Sequence, residues 1–222
     1  LKKLLNEDIN IKLLLRKKNS EEDNTYKNCT SYYVNDIFSQ SFEWWLNILS
    51  NVDTIIHSAW YTEPDKYLMS KKNIDCLEGS ITMIRAAAKA KVKSFVGIGT
   101  CYEYDFKYCN KPLSIDTPLN PKSPYSLAKV SLLNTLKAIS IISEMDYSWC
   151  RLFYLYGEGE HKSRLIPYIH NQMANSKTVL LSKGDKIRDY MDISDAAKLI
   201  SLIALNRASG VHNICSGQGK TL

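Results

Sequence analysis

The amino-acid sequence predicts an α/β fold in which a doubly wound parallel sheet is covered by helices on both faces. Short, β-branched runs such as DTIIHS at 53–58 alternate with longer helical stretches such as 66–91. This alternation is typical of βαβ units joined into a parallel sheet. After Gly157 the rhythm changes, which indicates a smaller C-terminal lobe. The 222 residues suffice for one sizeable domain and such an appendage.

The elements are expected in a regular order along the chain. The predicted strands cover 9–15, 32–34, 53–58, 94–98, 147–153, 179–181 and 211–214, and an extended segment covers 188–191. The predicted helices cover 42–49, 66–91, 123–143, 163–174 and 194–206. Pro124 suits a first helical turn, because its missing N–H would have no partner there. Ligands of such sheets bind beyond the carboxyl ends of the strands. The strand-end residues to inspect are therefore Arg16, Asp36, Ala59, Thr100 and Phe153.

Composition narrows the class of protein. The net charge of +6 is spread along the chain instead of forming one basic patch, so nucleic acid is not expected as a partner. No apolar run approaches the ~20 residues of a membrane span, and no signal peptide opens the chain. The six cysteines form no C-x-x-C pair and have no histidine at zinc-ligand spacing. We therefore expect a cytoplasmic protein without a metal.

Tyr125 and Lys129 form a Y-x-x-x-K pair on a predicted helix. Positions i and i+4 share one helical face, so both side chains can point into one cleft. A nearby ammonium favours the phenolate, so we predict a lowered pKa for Tyr125 and a usable general acid or base. A second match, Tyr67 with Lys71, lacks the context that favours the first. That context is a helix start at Pro124 and a strand-end Thr100 25 residues upstream.

Two longer strings carry a resemblance to a known family. FVGIGTCYEYD at 95–105 and PLNPKSPYSLAK at 118–129 resemble the extended short-chain dehydrogenase/reductases that act on nucleotide-activated sugars. The resemblance implies a Rossmann-like fold in which Thr100 completes the catalytic set with Tyr125 and Lys129. It also implies that CRLFYLYG at 150–157 lies beside the nicotinamide. The Arg188 of RDYMDISD at 188–195 would then grip the substrate diphosphate.

The resemblance also implies a cofactor site. Arg16-Lys17-Lys18 ends the second strand of the family pattern without an acidic residue, which favours NADP over NAD, although these could be solvated charges. Lys129 would bind the nicotinamide ribose. The remaining expected cofactor contacts are Asp36 as the adenine-contacting acid, Ile37, Ala59, Trp60, Tyr125 and Phe153.

Departures from the family pattern narrow the function that the resemblance implies. The glycine-rich turn that holds the cofactor pyrophosphate is missing, with the strand before it, and 1–6 resembles the helix after it. We therefore expect a fragment clipped at both ends. Tyr154 stands where many relatives have an Asn that contacts the substrate. Cys101 and Tyr102 stand where 4,6-dehydratases have Asp-Glu, so 4,6-dehydration is not expected.

The resulting hypothesis is a dinucleotide-binding domain over 1–156 and a substrate lobe over 157–222 that is interleaved with it. The expected reaction is NADPH-dependent reduction of a 4-keto, 6-deoxy nucleotide sugar, with Thr100, Tyr154 and Arg188 contacting the substrate. The alternatives are a nucleotide-sugar 4-epimerase with tightly bound NAD and a non-catalytic regulatory protein. The helices at 66–91 and 123–143 are expected to pair in a homodimer. For Arg188, an ion pair with Asp189 or Asp192 stays open, and His57 is interpreted as a core residue.

Overall fold

The protein is described from a computed structural model, which covers residues 1–5, 7–16, 29–108, 111–181 and 183–221. The strands are β1 (Ile11–Arg16), β2 (Cys29–Val34), β3 (Thr54–His57), β4 (Ser94–Thr100), β5 (Asp146–Leu152), β6 (Tyr154–Tyr156), β7 (Arg188–Asp192), β8 (Gly210–Ile214) and β9 (Gly219–Lys220). The helices are α1 (Phe42–Ile48), α2 (Lys72–Lys89), α3 (Pro124–Ser143), α4 (Leu165–Ala174) and α5 (Ile193–Leu205).

A four-stranded parallel sheet in the order β3-β4-β5-β8 forms the centre of the molecule. Strands β1 and β2 pair in parallel as a separate two-stranded sheet. Strands β6, β7 and β9 form a third, mixed sheet. Strand β8 comes from the part of the chain after Gly157 and returns to the central sheet beside β5.

Each face of the central sheet has its own hydrophobic core, because successive strand residues point to opposite faces. Phe95 and Trp149 belong to one core, together with residues of α1, α2 and α3. Their neighbours Val96 and Cys150 belong to the other core, which α5 covers. The prediction of a parallel sheet buried on both faces is therefore confirmed.

Two of the predicted elements differ in the structure, and strands β6 and β9 were not predicted. The predicted helix over 66–91 is divided into a 3₁₀ turn (Tyr67–Met69) and α2, with Ser70 extended between them. The side chain of Asn73 donates to the carbonyl oxygens of Tyr67 and Ser70, which ends the turn there. The strand predicted over 179–181 is wrong. The amide of Leu180 donates to a Tyr168 hydroxyl instead of a neighbouring strand, and 77% of Leu180 is exposed.

Residues 1–5 form one hydrogen-bonded turn, in which Leu4 and Leu5 donate to the Leu1 carbonyl. This turn lies within the segment interpreted as a helix, of which Asn6 is outside the described residues. Within the described ranges, no helix combines the length and the apolar character needed to cross a lipid bilayer.

Candidate functional site

The candidate site lies at the carboxyl end of β4, which extends past its neighbour β3. Strand β3 ends at His57, opposite Gly97, so the last three residues of β4 have no partner on that side. Side chains instead form the hydrogen bonds that β3 does not reach. Lys129 Nζ donates to the Ile98 carbonyl over 2.8 Å, and the Thr100 amide donates to Glu103 Oε1 over 2.9 Å.

Helix α3 brings Tyr125 and Lys129 to this point. Ser123 caps the helix by accepting the Ser126 amide, and Pro124 occupies the first turn. The start of α3 is therefore fixed by the sequence, and positions 125 and 129 face the end of β4. Tyr125 is 9% exposed and Lys129 is 3% exposed, so neither lies on a solvated helical face.

The ammonium of Lys129 has an indole as its nearest ring. Its Nζ lies 3.7 Å from the centroid of the Trp60 ring, which is within cation–π range. The indole N–H of Trp60 donates to the buried Asn73 side chain over 2.9 Å, which fixes the ring over the ammonium. Burial lowers the pKa of Lys129 to about 7, and the nearby Glu103 carboxylate acts in the opposite direction.

The predicted lowering of the Tyr125 pKa is wrong for this structure. Burial raises that pKa, the nearby Tyr67 raises it further, and a hydrogen bond with the Thr100 side chain acts in the opposite direction. Lys129 does not offset the burial, because its ammonium donates to a backbone carbonyl and lies 5.9 Å from the centroid of the Tyr125 ring. Tyr125 is therefore a neutral phenol at neutral pH.

Tyr67 also lies in the site, although its sequence context separated it from Tyr125. The two rings meet edge to face with centroids 4.9 Å apart. Lys71, by contrast, is exposed before the first turn of α2, so the second Y-x-x-x-K match forms no buried pair. The ring of Tyr67 also contacts the Arg164 guanidinium, 5.9 Å from its centroid.

Three tyrosine rings in contact, those of Tyr102, Tyr154 and Tyr190, form a surface beside Thr100 that we call the tyrosine wall. Tyr102 contacts Tyr154 with centroids 6.4 Å apart, and Tyr154 contacts Tyr190 at 5.7 Å. The guanidinium of Arg188 lies 5.1 Å from the centroid of Tyr154. The structure thus brings together Tyr154 and Arg188, two of the three predicted substrate residues.

The two carboxylates considered as partners of Arg188 are engaged elsewhere. Asp189 accepts from the backbone and hydroxyl of Ser216, and Asp192 caps α5. Arg188 itself donates to the Ile187 carbonyl. The described contacts therefore favour a guanidinium that faces the tyrosine wall.

Two predicted cofactor residues, Trp60 and Tyr125, lie beside Lys129, and the others follow the ends of strands. Arg16 ends β1 and is exposed, while Lys17 and Lys18 are outside the described residues. Asp36 follows β2, and its carboxylate accepts the Phe38 amide. Other predicted positions are the half-buried Ile37, the exposed Ala59 after β3, and Phe153, whose amide donates to the Ile214 carbonyl.

Sequence reasoning missed a buried network beneath Thr100. The Glu103 carboxylate accepts from the Thr100 amide, the Trp149 indole and the Arg151 guanidinium. A Cβ on Gly99 would lie 2.2 Å from Trp149 Nε1 and 2.5 Å from Glu103 Oε1, so glycine is needed there. The available signal was the T-x-x-E spacing from 100 to 103, which is typical of a capping box.

His57 is a buried core histidine, as interpreted. It is 5% exposed and hydrogen-bonded to Ser80 Oγ over 2.8 Å. Burial lowers its pKa to about 3, so it is neutral at physiological pH. Among the described residues, no group of three or more His, Cys, Asp or Glu side chains could hold a metal ion.

The side chains fit one half of a nicotinamide dinucleotide. An ammonium has three N–H donors, and Lys129 has one carbonyl acceptor, so it could also donate to ribose hydroxyls. The pyrophosphate half normally needs a glycine-rich turn. The first glycine in residues 1–222 is Gly79, within α2, so the described residues contribute the nicotinamide half of such a site.

A family profile described as "NAD dependent epimerase/dehydratase family" matches residues 1–215. Among curated proteins, the chain is 24% identical over 204 residues to a dTDP-6-deoxy-L-talose 4-dehydrogenase (NAD(+)) from Aggregatibacter actinomycetemcomitans. That alignment covers 91% of this chain and 74% of the relative. A dTDP-glucose 4,6-dehydratase from Streptomyces griseus is 28% identical over 182 residues, which cover 79% of this chain and 54% of that protein.

Solved structures share the fold. The UDP-N-acetylglucosamine 4-epimerase from Bacillus cereus superposes with a TM-score of 0.78 at 20% identity, covering 96% of this chain and 69% of that chain. A UDP-N-acetylglucosamine 4-epimerase from Methanobrevibacter ruminantium M1, in complex with UDP-N-acetylmuramic acid, superposes with a TM-score of 0.75 at 23% identity. That match covers 89% of this chain and 64% of the other.

Proposed function

The chain belongs to the NAD dependent epimerase/dehydratase family. From this premise, we propose that the protein reduces the 4-keto group of a 6-deoxy nucleotide sugar. The observation that supports it best is the convergence of Thr100, Tyr125 and Lys129 at the end of β4. These are the side chains that the family resemblance assigns to proton transfer and carbonyl binding. All three are present and buried, which argues against a non-catalytic role.

Each side chain has a separate role in the proposed reaction. The nicotinamide supplies the hydride to the C4 carbonyl carbon when it is bound. Tyr125 donates its phenolic proton to the carbonyl oxygen, which becomes the hydroxyl of the product. Thr100 donates a hydrogen bond to the same oxygen, and the Lys129 ammonium binds the nicotinamide ribose. Tyr125 then regains a proton from solvent.

Tyr125 is a neutral phenol at neutral pH, so it carries the proton that a carbonyl reduction consumes. Burial raises its pKa and makes it a weaker acid, and the hydrogen bond with the Thr100 side chain opposes this rise. Positions 101 and 102 carry no carboxylate, so the acid–base pair that dehydratases place there is missing. The keto sugar would therefore be received as a substrate and not made here.

The relatives and the sequence favour different cofactors. Arg16 at the end of β1 suits the 2′-phosphate of NADP, and no acidic residue is adjacent to bind the 2′-hydroxyl of NAD. The name of the A. actinomycetemcomitans relative, a dTDP-6-deoxy-L-talose 4-dehydrogenase, specifies NAD(+) instead. We propose NADPH as the cofactor and an oxidoreduction at C4 of a nucleoside-diphospho 6-deoxy sugar as the chemistry.

Cofactor consumption tests this proposal. The full-length protein is given NADPH and a panel of nucleoside-diphospho 4-keto-6-deoxy sugars, and nicotinamide absorbance is followed together with product. We expect NADPH oxidation in proportion to product, with NADH a poorer substrate. Interconversion of 4-hydroxy sugar nucleotides without net NADPH consumption, together with copurifying NAD, would instead establish the 4-epimerase.

Tyr125→Phe tests the catalytic assignment within the same assay. The change keeps the ring and removes the proton donor, so turnover should fall by at least ~10²-fold with little change in binding. Tyr67→Phe is the matched control, because it removes a phenolic hydroxyl from the same cleft and keeps the ring that packs against Tyr125. A Tyr125→Phe enzyme as active as the parent would show that another group donates the proton.

A further inference from the structure

The carboxylate of Glu103 is the most completely enclosed ionisable group beneath the site. Glu103 is 0% exposed, and its partner Arg151 is 3% exposed. Arg151 Nε donates to Glu103 Oε2 over 2.7 Å. The Trp149 indole donates to both carboxylate oxygens, at 3.0 and 3.2 Å. The mechanism proposed above gives this cluster no role.

The third donor to this carboxylate is the backbone amide of a residue in the proposed reaction. The Thr100 amide donates to Glu103 Oε1 over 2.9 Å. The Thr100 hydroxyl oxygen in turn accepts the Tyr102 amide over 3.3 Å, which completes a capping box across one 3₁₀ turn. Thr100 is therefore held both at its backbone and at its side chain. The Thr100 hydroxyl oxygen accepts from Tyr102, so its hydrogen faces the other way, towards Tyr125, where the proposed reaction places the substrate oxygen.

The cluster also anchors this turn to the rest of the sheet. The other end of the Arg151 guanidinium donates to the Tyr104 hydroxyl over 2.9 Å and stacks on the Tyr104 ring. That hydroxyl donates to Asn213 on β8 over 2.6 Å. Hydrogen bonds thus run from β8 through β5 to the end of β4. A shift in Glu103 would displace Thr100, since both backbone and side chain of Thr100 depend on this turn.

We infer that Glu103, held by Arg151, is a positioning residue that sets where the Thr100 hydroxyl meets the substrate oxygen. The inference rests on the proposed function. A buried ion pair is often replaceable by apolar residues without loss of stability, so stability alone does not explain this arrangement. The acceptor for the Thr100 amide is the feature that apolar residues cannot reproduce.

Two double variants separate positioning from packing. The first, called the Leu/Met variant, combines Glu103→Leu with Arg151→Met and removes both charges and the acceptor for the Thr100 amide. The second, called the Gln/Met variant, combines Glu103→Gln with Arg151→Met and removes the same charges but keeps a side-chain oxygen for the Thr100 amide. Asp53→Asn with Lys93→Met is the matched control, because it removes an ion pair of the same 2.7 Å length from the surface. The Asp53 side chain is 68% exposed and the Lys93 side chain is 57% exposed. Thermal melting first establishes that each variant is folded.

Steady-state kinetics and amide exchange supply the readouts in the full-length protein. The Leu/Met variant should lose at least ~10-fold in kcat, since small misplacements of a reacting group are costly. Its KM should change by less than about twofold, and the Gln/Met variant should recover most of the loss. Hydrogen exchange at the Thr100 amide should speed up by ~10-fold or more in the Leu/Met variant only, relative to the Val96 amide.

The two readouts also distinguish this inference from the proposed function. A parent enzyme that turns over no keto sugar overturns the proposed function. The exchange rate of the Thr100 amide then tests by itself whether Glu103 positions Thr100. A folded Leu/Met variant with parental kcat, or with parental exchange at Thr100, overturns the positioning role. An equal loss in kcat for both double variants does so too, because the retained oxygen would then be irrelevant.

Discussion

Gly99 offers a direct test of how tightly the end of β4 is packed. Gly99→Ala adds one methyl group, which would lie 2.2 Å from Trp149 Nε1, 2.5 Å from Glu103 Oε1 and 2.8 Å from Trp149 Cε2. Trp149 and Glu103 are both 0% exposed, so neither can move into solvent to make room. The methyl group can be accommodated only if the indole leaves the carboxylate.

The expected loss of stability has two parts. Overpacking a well-filled core costs about 1–3 kcal/mol, and losing a hydrogen bond to a charged group costs about 1.5–3 kcal/mol. The smaller freedom of alanine in the unfolded chain returns only ~0.4–1 kcal/mol. We therefore expect the free energy of unfolding of Gly99→Ala to fall by about 3–5 kcal/mol, in the middle and upper part of the summed ranges, because two buried groups are displaced.

Thermal melting followed by circular dichroism measures this loss. For a chain of this size, 3–5 kcal/mol corresponds to a Tm lower by about 6–20 °C. Gly97→Ala is the matched control, because its methyl group would meet the Trp149 ring carbons at 2.5 Å but does not approach the carboxylate. It should be destabilised less, by the packing term alone. A Gly99→Ala protein that melts within ~2 °C of the parent, or one more stable than Gly97→Ala, would refute the packing argument.

The remaining predictions concern binding, stability and assembly. Arg188→Ala should weaken sugar-nucleotide binding by about 1.5–3 kcal/mol and leave nicotinamide binding unchanged; calorimetry that finds the same substrate affinity contradicts its role. Arg16→Asp should narrow or reverse the preference for NADPH over NADH, measured as the ratio of kcat/KM values. Since the pKa of His57 is lowered to about 3, the unfolded chain binds a proton that the folded chain does not. Stability should therefore fall by up to about 5 kcal/mol as pH drops from 6.5 to 3, and His57→Gln should flatten this loss in denaturant titrations. The full-length protein should be a homodimer by light scattering at micromolar concentration, with the half-exposed Ile74 and Leu127 on α2 and α3 as candidate interface residues.

The sequence was sufficient where one residue determines local structure. Turn chemistry predicted the helix start at Pro124, and β-branched runs predicted all four strands of the central sheet. Together they place Tyr125, Lys129 and Thr100 near one end of that sheet. The predicted strand at 179–181 failed because apolar residues alone do not supply a pairing partner.

Long-range contacts explain what the sequence could not predict. The pKa of Tyr125 depends on burial and on where the Lys129 ammonium is directed, and the Ile98 carbonyl that receives it lies 31 positions away. Arg151 is 48 positions from Glu103, so no local pattern indicates that they pair. Tyr67 was set aside for lack of a catalytic neighbour, yet its ring meets Tyr125 through the fold.

The contact between β1 and the end of α1 has a consequence for how the cofactor would be selected. Lys12 Nζ donates to the Ile48 and Ser50 carbonyls and so ties β1 to the end of α1. Lys12 and Arg16 are both exposed residues of β1, four positions apart, and therefore lie on the same side of the strand. The orientation of Arg16 towards a cofactor then depends on this tether, so Lys12→Met is expected to change the preference between NADP and NAD without contacting the cofactor.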